Sequence, residues 1–121
     1  MMASKRILAT TIVLACCVCA AYGAKVRLKQ YQAPKDSTSH SLDKIYLSGM
    51  IDGLLSVDAL LALEHKQRFF CLPPKRDLTV EQAENIIMRT ARKVPDTSDF
   101  PISILLIGGL IDAFPCIENE K

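Results

Sequence analysis

The sequence has few of the residues that enzymes and metalloproteins use at their reactive sites. It contains two histidines, His40 and His65, no tryptophan, and neither a CxxC nor an HExxH motif. A phosphate-binding glycine loop follows a strand and opens a helix, whereas Gly108 and Gly109 lie inside an uncharged apolar segment. These absences predict a protein that is not an enzyme, with no catalytic, cofactor-binding or metal-binding residues.

The sequence also lacks a large excess of charge of either sign. The 121 residues include 15 Lys and Arg against 13 Asp and Glu. Lys5 and Arg6 account for the whole excess, so the rest of the chain is formally neutral. Nucleic-acid-binding domains usually carry a strong basic excess, which argues against that class. Half of the residues are hydrophobic, which excludes an intrinsically disordered chain, and the length fits one domain.

The N-terminal segment has the organisation of a secretory signal peptide. Lys5 and Arg6 form a short basic region before an uncharged, mostly apolar stretch, and small residues follow at Ala21 and Gly23. This pattern predicts cleavage before Ala24. A membrane span needs about 20 apolar residues, so the apolar stretch is short for one.

The cysteine count changes when this signal peptide, residues 1–23, is removed. Of five cysteines, Cys71 and Cys116 remain in an exported chain. In an oxidising compartment such a pair is most simply one disulfide, which closes a loop of about 45 residues and contributes on the order of 4 kcal/mol. Two alternatives stay open. Spacing does not exclude a Cys–His nucleophile. Lipidation at Cys16 is a minor alternative, because Leu14 is bulkier than the residue that a lipidation box usually has at this position.

The remainder divides into a polar arm and a helical domain. Residues 24–40 combine several bases with Pro34 and a polar run, which predicts a flexible basic arm. The structured domain is predicted over residues 41–117, and residues 118–121 form a short tail.

The first predicted helix starts at His40 or Ser41 and ends near His65. Glycines at 49 and 53 weaken a helix, and close approach of another helix is what we expect to compensate for them. The charged residues along the segment argue against a membrane span. Helical spacing predicts a polar side and an apolar side, the latter formed by Tyr46, Met50, Leu54, Val57 and Leu61.

Two shorter helices follow. Thr79 and Gln82 are spaced as a capping box that opens the second helix, and Pro95 ends it. The third runs from Pro101 to Pro115 and is apolar on all sides in its first three turns, so we expect it to be buried in the core or against a second copy. The predicted fold is all-α, a small bundle of three or more helices stapled by one disulfide.

Five short motifs occur in a fixed order between residues 42 and 116. They are Tyr46-x-x-Gly49-x-x-x-Gly53, Phe70-Cys71-Leu72-Pro73, Leu78-Thr79-x-x-Gln82, Val94-Pro95 and Leu110-x-x-Ala113-Phe114-Pro115-Cys116. In this order they resemble the Rap/Tai family, the periplasmic immunity proteins of bacterial type VI secretion. The turn after Pro73 is somewhat longer than is common in that family.

The resemblance carries several expectations. It implies that Cys71 and Cys116 form a disulfide within a helical immunity domain in the periplasm of a Gram-negative bacterium. It also implies that the protein binds and blocks a peptidoglycan amidase, often as a homodimer. The partner would then be a cognate peptidoglycan-hydrolase effector, with no nucleic acid and no membrane contact after signal cleavage.

The predicted inhibitory contacts lie on two proline-bounded turns, residues 73–78 and 96–99. Such turns lose little conformational entropy on binding, and their charges favour fast, specific association. If neither turn binds, the first helix is the alternative surface. The candidate partner-binding residues are Lys75, Arg76, Asp77, Asp96 and Asp99.

Two further hypotheses stand beside an immunity protein. A disulfide motif indicates the fold of a protein but not its binding partner. The chain could therefore be a periplasmic helical protein of the same fold without a toxin partner. The other is an acid-stress periplasmic chaperone that exposes its apolar helix at low pH by losing a dimer.

Overall fold

The computed structural model describes residues 26–117, and within this range the chain forms four α-helices and no strand. The predicted all-α fold and the Cys71–Cys116 disulfide are confirmed. The predicted signal peptide, residues 1–23, and the tail, residues 118–121, lie outside the described residues. The helices are α1 (Leu28–Gln32), α2 (Ser37–Leu63), α3 (Val80–Lys93) and α4 (Ile102–Ala113).

Helix α2 begins about one turn earlier than its apolar spacing predicts, because Asp36 caps it. The Asp36 carboxylate accepts a hydrogen bond from the backbone N–H of Ser39 at 2.8 Å, which lowers the pKa of that carboxyl. An aspartate at this position satisfies a helix N–H that would otherwise lack a partner. Ser41, a predicted start, lies inside the helix instead, and its hydroxyl donates to the carbonyl of Ser37 at 2.9 Å.

The segment predicted as a flexible arm, residues 24–40, is packed against the body over its described part. Leu28 is buried, and its backbone N–H donates to the carbonyl of Phe100 at 2.9 Å. The carbonyl of Val26 accepts from the N–H of Ile102 at 3.0 Å. One leucine among several bases thus anchors the segment across the start of α4.

The core lies where α2, α3 and α4 meet, and α3 and α4 make the larger contact. The predicted capping box is present: the N–H of Gln82 donates to the Thr79 hydroxyl at 3.2 Å, and the N–H of Thr79 donates to the Gln82 side chain at 3.0 Å. The largest fully buried side chains are Leu47, Phe70, Ile87, Ile102, Leu106 and Leu110.

The buried side of α2 is turned from the predicted apolar side. Leu47, Ile51 and Asp58 are buried. Of the residues on the predicted apolar side, Met50 and Leu54 are partly buried against the core, whereas Tyr46 and Val57 are exposed. Apolar residues occur almost all round this helix, so their spacing does not fix which side faces the core. A polar residue, Asp58, takes a core position that the apolar pattern could not indicate.

Helix α2 has a large outward surface. In the part of the chain that the structure describes, it is the helix long and apolar enough to cross a membrane by length and composition alone. The core helix of a soluble protein meets the same two criteria. However, only 17% of the most apolar stretch of α2 is buried, so most of it faces away from the rest of the chain.

Helix α4 buries one side and exposes the other. Leu105 and Leu110 lie in the core, whereas Ile104 and Ile111 are exposed, so the described residues do not bury this helix on all sides. The buried side packs closely against α3 at Gly109, where an added β-carbon would clash with the side chain of Ile86 and the hydroxyl of Thr90.

The adjacent glycines of α4 provide a matched test of this close approach. A β-carbon at Gly108 meets nothing within 4 Å among the described residues. We expect Gly109→Ala to lower the free energy of unfolding by about 1–3 kcal/mol through overpacking. Gly108→Ala should raise it by up to about 1 kcal/mol through helix propensity. Urea unfolding of both variants measures the two changes, and an equal shift in both would contradict the observed α3–α4 packing.

Candidate partner-binding surface

The disulfide ties the middle of the chain to its C-terminal end. The Cα atoms of Cys71 and Cys116 are 4.9 Å apart across the bond. The backbone N–H of Cys71 also donates to the carbonyl of Phe114 at 2.8 Å. Because a nucleophilic cysteine acts as a free thiolate, the bonded sulfur excludes the Cys–His alternative at Cys71.

The turn that follows, residues 73–78, is held at both ends, and we call it the proline turn. The disulfide lies before it, buried Leu78 is its last residue, and the α3 capping box follows. Within the turn the N–H of Arg76 donates to the carbonyl of Pro73 at 3.2 Å, and Lys75 has a φ of 63°. Lys75, Arg76 and Asp77 are all exposed, so a fixed turn presents three charged side chains to solvent.

A groove of about 200 Å³ opens beside the proline turn, and we call it the arginine groove. Drug-sized ligands occupy pockets of roughly 300–1,000 Å³, so this groove suits a single side chain of a partner protein. Its apolar lining is Leu72, Leu78, Ile86 and Phe114, and its polar lining is Arg76, Asp77, Gln82, Asn85 and Arg89.

The α3 residues of the arginine groove were absent from the predicted set. Gln82, Asn85 and Arg89 follow one another at helical spacing and share a face of α3. The sequence shows this spacing. It does not show that these α3 residues lie beside Leu72 and Phe114, because those two residues come from separate parts of the chain that the disulfide joins.

The second predicted turn, residues 96–99, lies at the opposite end of α3. That helix has 14 residues, and at about 1.5 Å per residue it separates the turns by roughly 21 Å. The structure therefore does not bring the two sets of predicted residues into one surface.

Asp99 of this second turn is already paired within the chain. Lys29 lies 2.5 Å from a carboxylate oxygen of Asp99, and Arg27 lies 3.3 Å from it. Lys29 first, and Arg27 to a smaller extent, lower the pKa of Asp99. Asp96 is exposed, with a φ of 58°. Of the two turns, the proline turn thus has more charged side chains available to contact a partner. The placement of the partner contacts on these turns stays a prediction.

A second cluster of polar groups holds the N-terminal segment. The hydroxyl of Tyr31 donates to Glu84, and the Lys35 ammonium pairs with Asp43 and donates to the carbonyl of Tyr31 at 3.2 Å. Burial first, and then Glu84, raise the pKa of Tyr31. Through these contacts the cluster holds α1 and the segment after it against α2 and α3.

Comparison with known proteins identifies the family. The model of the Rap1a immunity proteins matches residues 10–116. The chain belongs to the Rap1a immunity protein family. The matched range includes both cysteines of the disulfide and the whole arginine groove. No match was found among curated proteins or among solved structures.

Membership of the Rap1a family gives the coarse function. The chain is an immunity protein directed against a secreted effector, and such proteins act by binding a cognate partner. Within residues 26–117, no three histidine, cysteine, aspartate or glutamate side chains are placed to hold a metal ion.

Proposed function

We propose that this protein is a periplasmic immunity protein that binds and blocks a type VI secretion effector of the peptidoglycan amidase class. The observation that carries the proposal is the arginine groove beside a disulfide-anchored turn, in a chain of the Rap1a family. The order of motifs, which resembles the amidase-directed members, supports the effector class.

Export supports the proposed compartment. Residues 1–23 have the three parts of a secretory signal peptide. A disulfide persists in an oxidising compartment and is rare in the cytosol, and this chain contains one between Cys71 and Cys116. Both features suit a protein that meets its effector at the cell wall.

The blocking step needs no chemistry from the inhibitor. A turn that is fixed before binding loses little conformational entropy when it enters a cleft, and the proline turn is held at both ends. The apolar lining of the arginine groove would receive an apolar side chain of the effector. Occupation of the effector's cleft by the turn then excludes the substrate.

Arg76 and Arg89 supply the charge complementarity. Both line the groove and both are exposed. A guanidinium binds a carboxylate through two parallel hydrogen bonds, and arginine is enriched among the residues that dominate binding energies. We therefore expect acidic side chains on the effector around the apolar residue that enters the groove.

Charge reversal in the groove is the first test. Arg76→Glu should weaken inhibition of the effector by about 2 kcal/mol, roughly 30-fold in the inhibition constant, because a central arginine contact becomes repulsive. Inhibition is measured as the rate of peptidoglycan hydrolysis by the enzyme encoded next to this gene, titrated with the purified inhibitor. Lys66→Glu is the control, since Lys66 is exposed, lies outside the groove and undergoes the same charge change.

A filling substitution separates shape from charge. Asn85 is exposed on α3 and lines the groove, so Asn85→Trp should occupy the groove without disturbing the core. It is expected to weaken inhibition as strongly as Arg76→Glu while helicity is unchanged. If the wild-type protein leaves hydrolysis undiminished at molar excess, that enzyme is not the effector. Full inhibition by both variants would place the contact surface elsewhere.

A further inference from the structure

The two arginines of the arginine groove are not paired with carboxylates. Within residues 26–117, seven basic side chains form ion pairs, and neither Arg76 nor Arg89 is among them. Asp77 supplies the one carboxylate of the lining, so the groove carries a net charge of +1. This charge and the N–H donors of two guanidinium groups favour a ligand with a single negative charge.

The capping box of α3 adds a further donor to the groove. The N–H of Thr79 donates to Oε1 of Gln82 at 3.0 Å, so the oxygen of this side-chain amide is already engaged. The amide nitrogen, with its two N–H groups, is then the part of Gln82 that is left for a ligand. The polar lining of the groove therefore offers mainly donors, and Asp77 offers an acceptor.

The apolar part of the groove belongs to the core. Leu78 and Ile86 are buried core residues, and Leu72 and Phe114 pack against them. Because the groove has a volume of only about 200 Å³, one residue of a ligand must match the apolar and the polar lining together. That residue needs an apolar side chain, a carboxylate and an N–H donor. An internal aspartate or glutamate has the last two but lacks the first.

We propose that the arginine groove binds the carboxyl-terminal residue of a polypeptide, with an apolar side chain about as large as leucine. The side chain of this residue contacts Leu72 and Phe114. Its α-carboxylate accepts hydrogen bonds from Arg76 and Arg89, and its backbone N–H donates to Asp77. The inference rests on the proposed function and deepens it, because it names the effector's last residue as the group that enters the groove.

Charge and hydrogen bonding separate this ligand from related ones. A free amino acid is a zwitterion without net charge, whereas a peptide end carries the single negative charge that the groove matches. An apolar residue within a chain has no carboxylate, so it would leave Arg76 and Arg89 without an acceptor. A fatty acid has no N–H group, so it would leave Asp77 without a donor. The carboxyl-terminal residue satisfies all of these groups.

A short peptide tests the groove without the effector. N-acetyl-alanyl-leucine is titrated into isotopically labelled protein purified from cells that express the full chain. The side-chain amide signals of Gln82 and Asn85 in the NMR spectrum report binding. We expect a dissociation constant of about 1 mM, which is typical of so small a ligand. The same peptide with an amidated carboxyl terminus should bind at least about tenfold more weakly, because it lacks the charge-assisted hydrogen bonds.

One substitution and a matched control locate the binding site. Arg89→Gln should weaken binding of N-acetyl-alanyl-leucine about fivefold, because it removes one of two guanidinium groups. Arg92→Gln should not, since Arg92 is exposed on the same helix but lies outside the groove. Equal binding of the free and amidated peptides, or equal effects of the two variants, would overturn the proposal. Tighter binding of free leucine, or of N-acetyl-alanyl-D-alanine as a cell-wall peptide, would overturn it as well.

The effector itself provides the last arm of the test. Its final residue should be apolar, and two glycines added after that residue should weaken inhibition at least about tenfold. Two glycines added before its first residue should have no effect. If the extended effector is inhibited as before while Arg76→Glu still weakens inhibition, this inference is wrong and the proposed function stands. If the unmodified enzyme is not inhibited, the proposed function fails, and the peptide titration still decides what the groove binds.

Discussion

Reduction of the Cys71–Cys116 disulfide is expected to lower the free energy of unfolding by about 4 kcal/mol. The bond closes a loop of 45 residues, and opening it restores the conformational entropy of that loop to the unfolded chain. A domain of this size has a total stability of about 5–15 kcal/mol, so this is a large fraction of the whole.

Urea unfolding with and without a reductant measures this change. The double variant Cys71→Ser/Cys116→Ser should match the reduced wild type and should not respond to the reductant. Because Leu72 and Phe114 border the arginine groove next to the two cysteines, the same variant should also inhibit the effector less well. An unfolding midpoint that reduction does not move would show that the bond adds no stability.

Removal of Arg68 is expected to destabilise the fold by about 3 kcal/mol, because it leaves a buried carboxylate without its cation. Asp58 is 4% exposed, and Nε and Nη2 of Arg68 lie 3.1 and 2.5 Å from its Oδ2. Within residues 26–117, the structure gives Oδ1 of Asp58 no hydrogen-bond partner. The pair joins the last turns of α2 to the segment that leads to the disulfide.

The matched comparison is between Arg68→Leu and the double variant Asp58→Leu/Arg68→Leu. Replacing both members of a buried ion pair by apolar side chains is often neutral, so the double variant should recover most of the loss. Urea unfolding at neutral pH gives the two free energies. A double variant as unstable as Arg68→Leu would mean that packing by the arginine, rather than the stranded charge, accounts for the effect.

Local signals in the sequence predicted most of the architecture. The capping box at Thr79 and Gln82 and the prolines at 95 and 115 bound two helices close to where they are found. The disulfide was expected from the two cysteines that remain after the predicted signal peptide is removed, and from the family resemblance. Each of these features depends on residues that are close in the chain or chemically distinctive.

Features that depend on distant contacts were not predicted. The anchoring of Leu28 requires the carbonyl of Phe100, and nothing near Leu28 indicates that partner. The arginine groove combines Arg89 with Leu72 and Phe114 from other parts of the chain. The buried side of α2, which carries Leu47, Ile51 and Asp58, is turned from the side that apolar spacing favoured.

The bonds between the two ends of the described chain constrain the order in which the fold can close. Val26 and Leu28 leave the ribosome early, but their hydrogen-bond partners, Phe100 and Ile102, follow only with the start of α4. Cys71 likewise waits for Cys116. The nascent chain therefore cannot complete its tertiary structure until α4 has been synthesised, so folding of this domain is expected to finish after, and not during, the synthesis of α2 and α3.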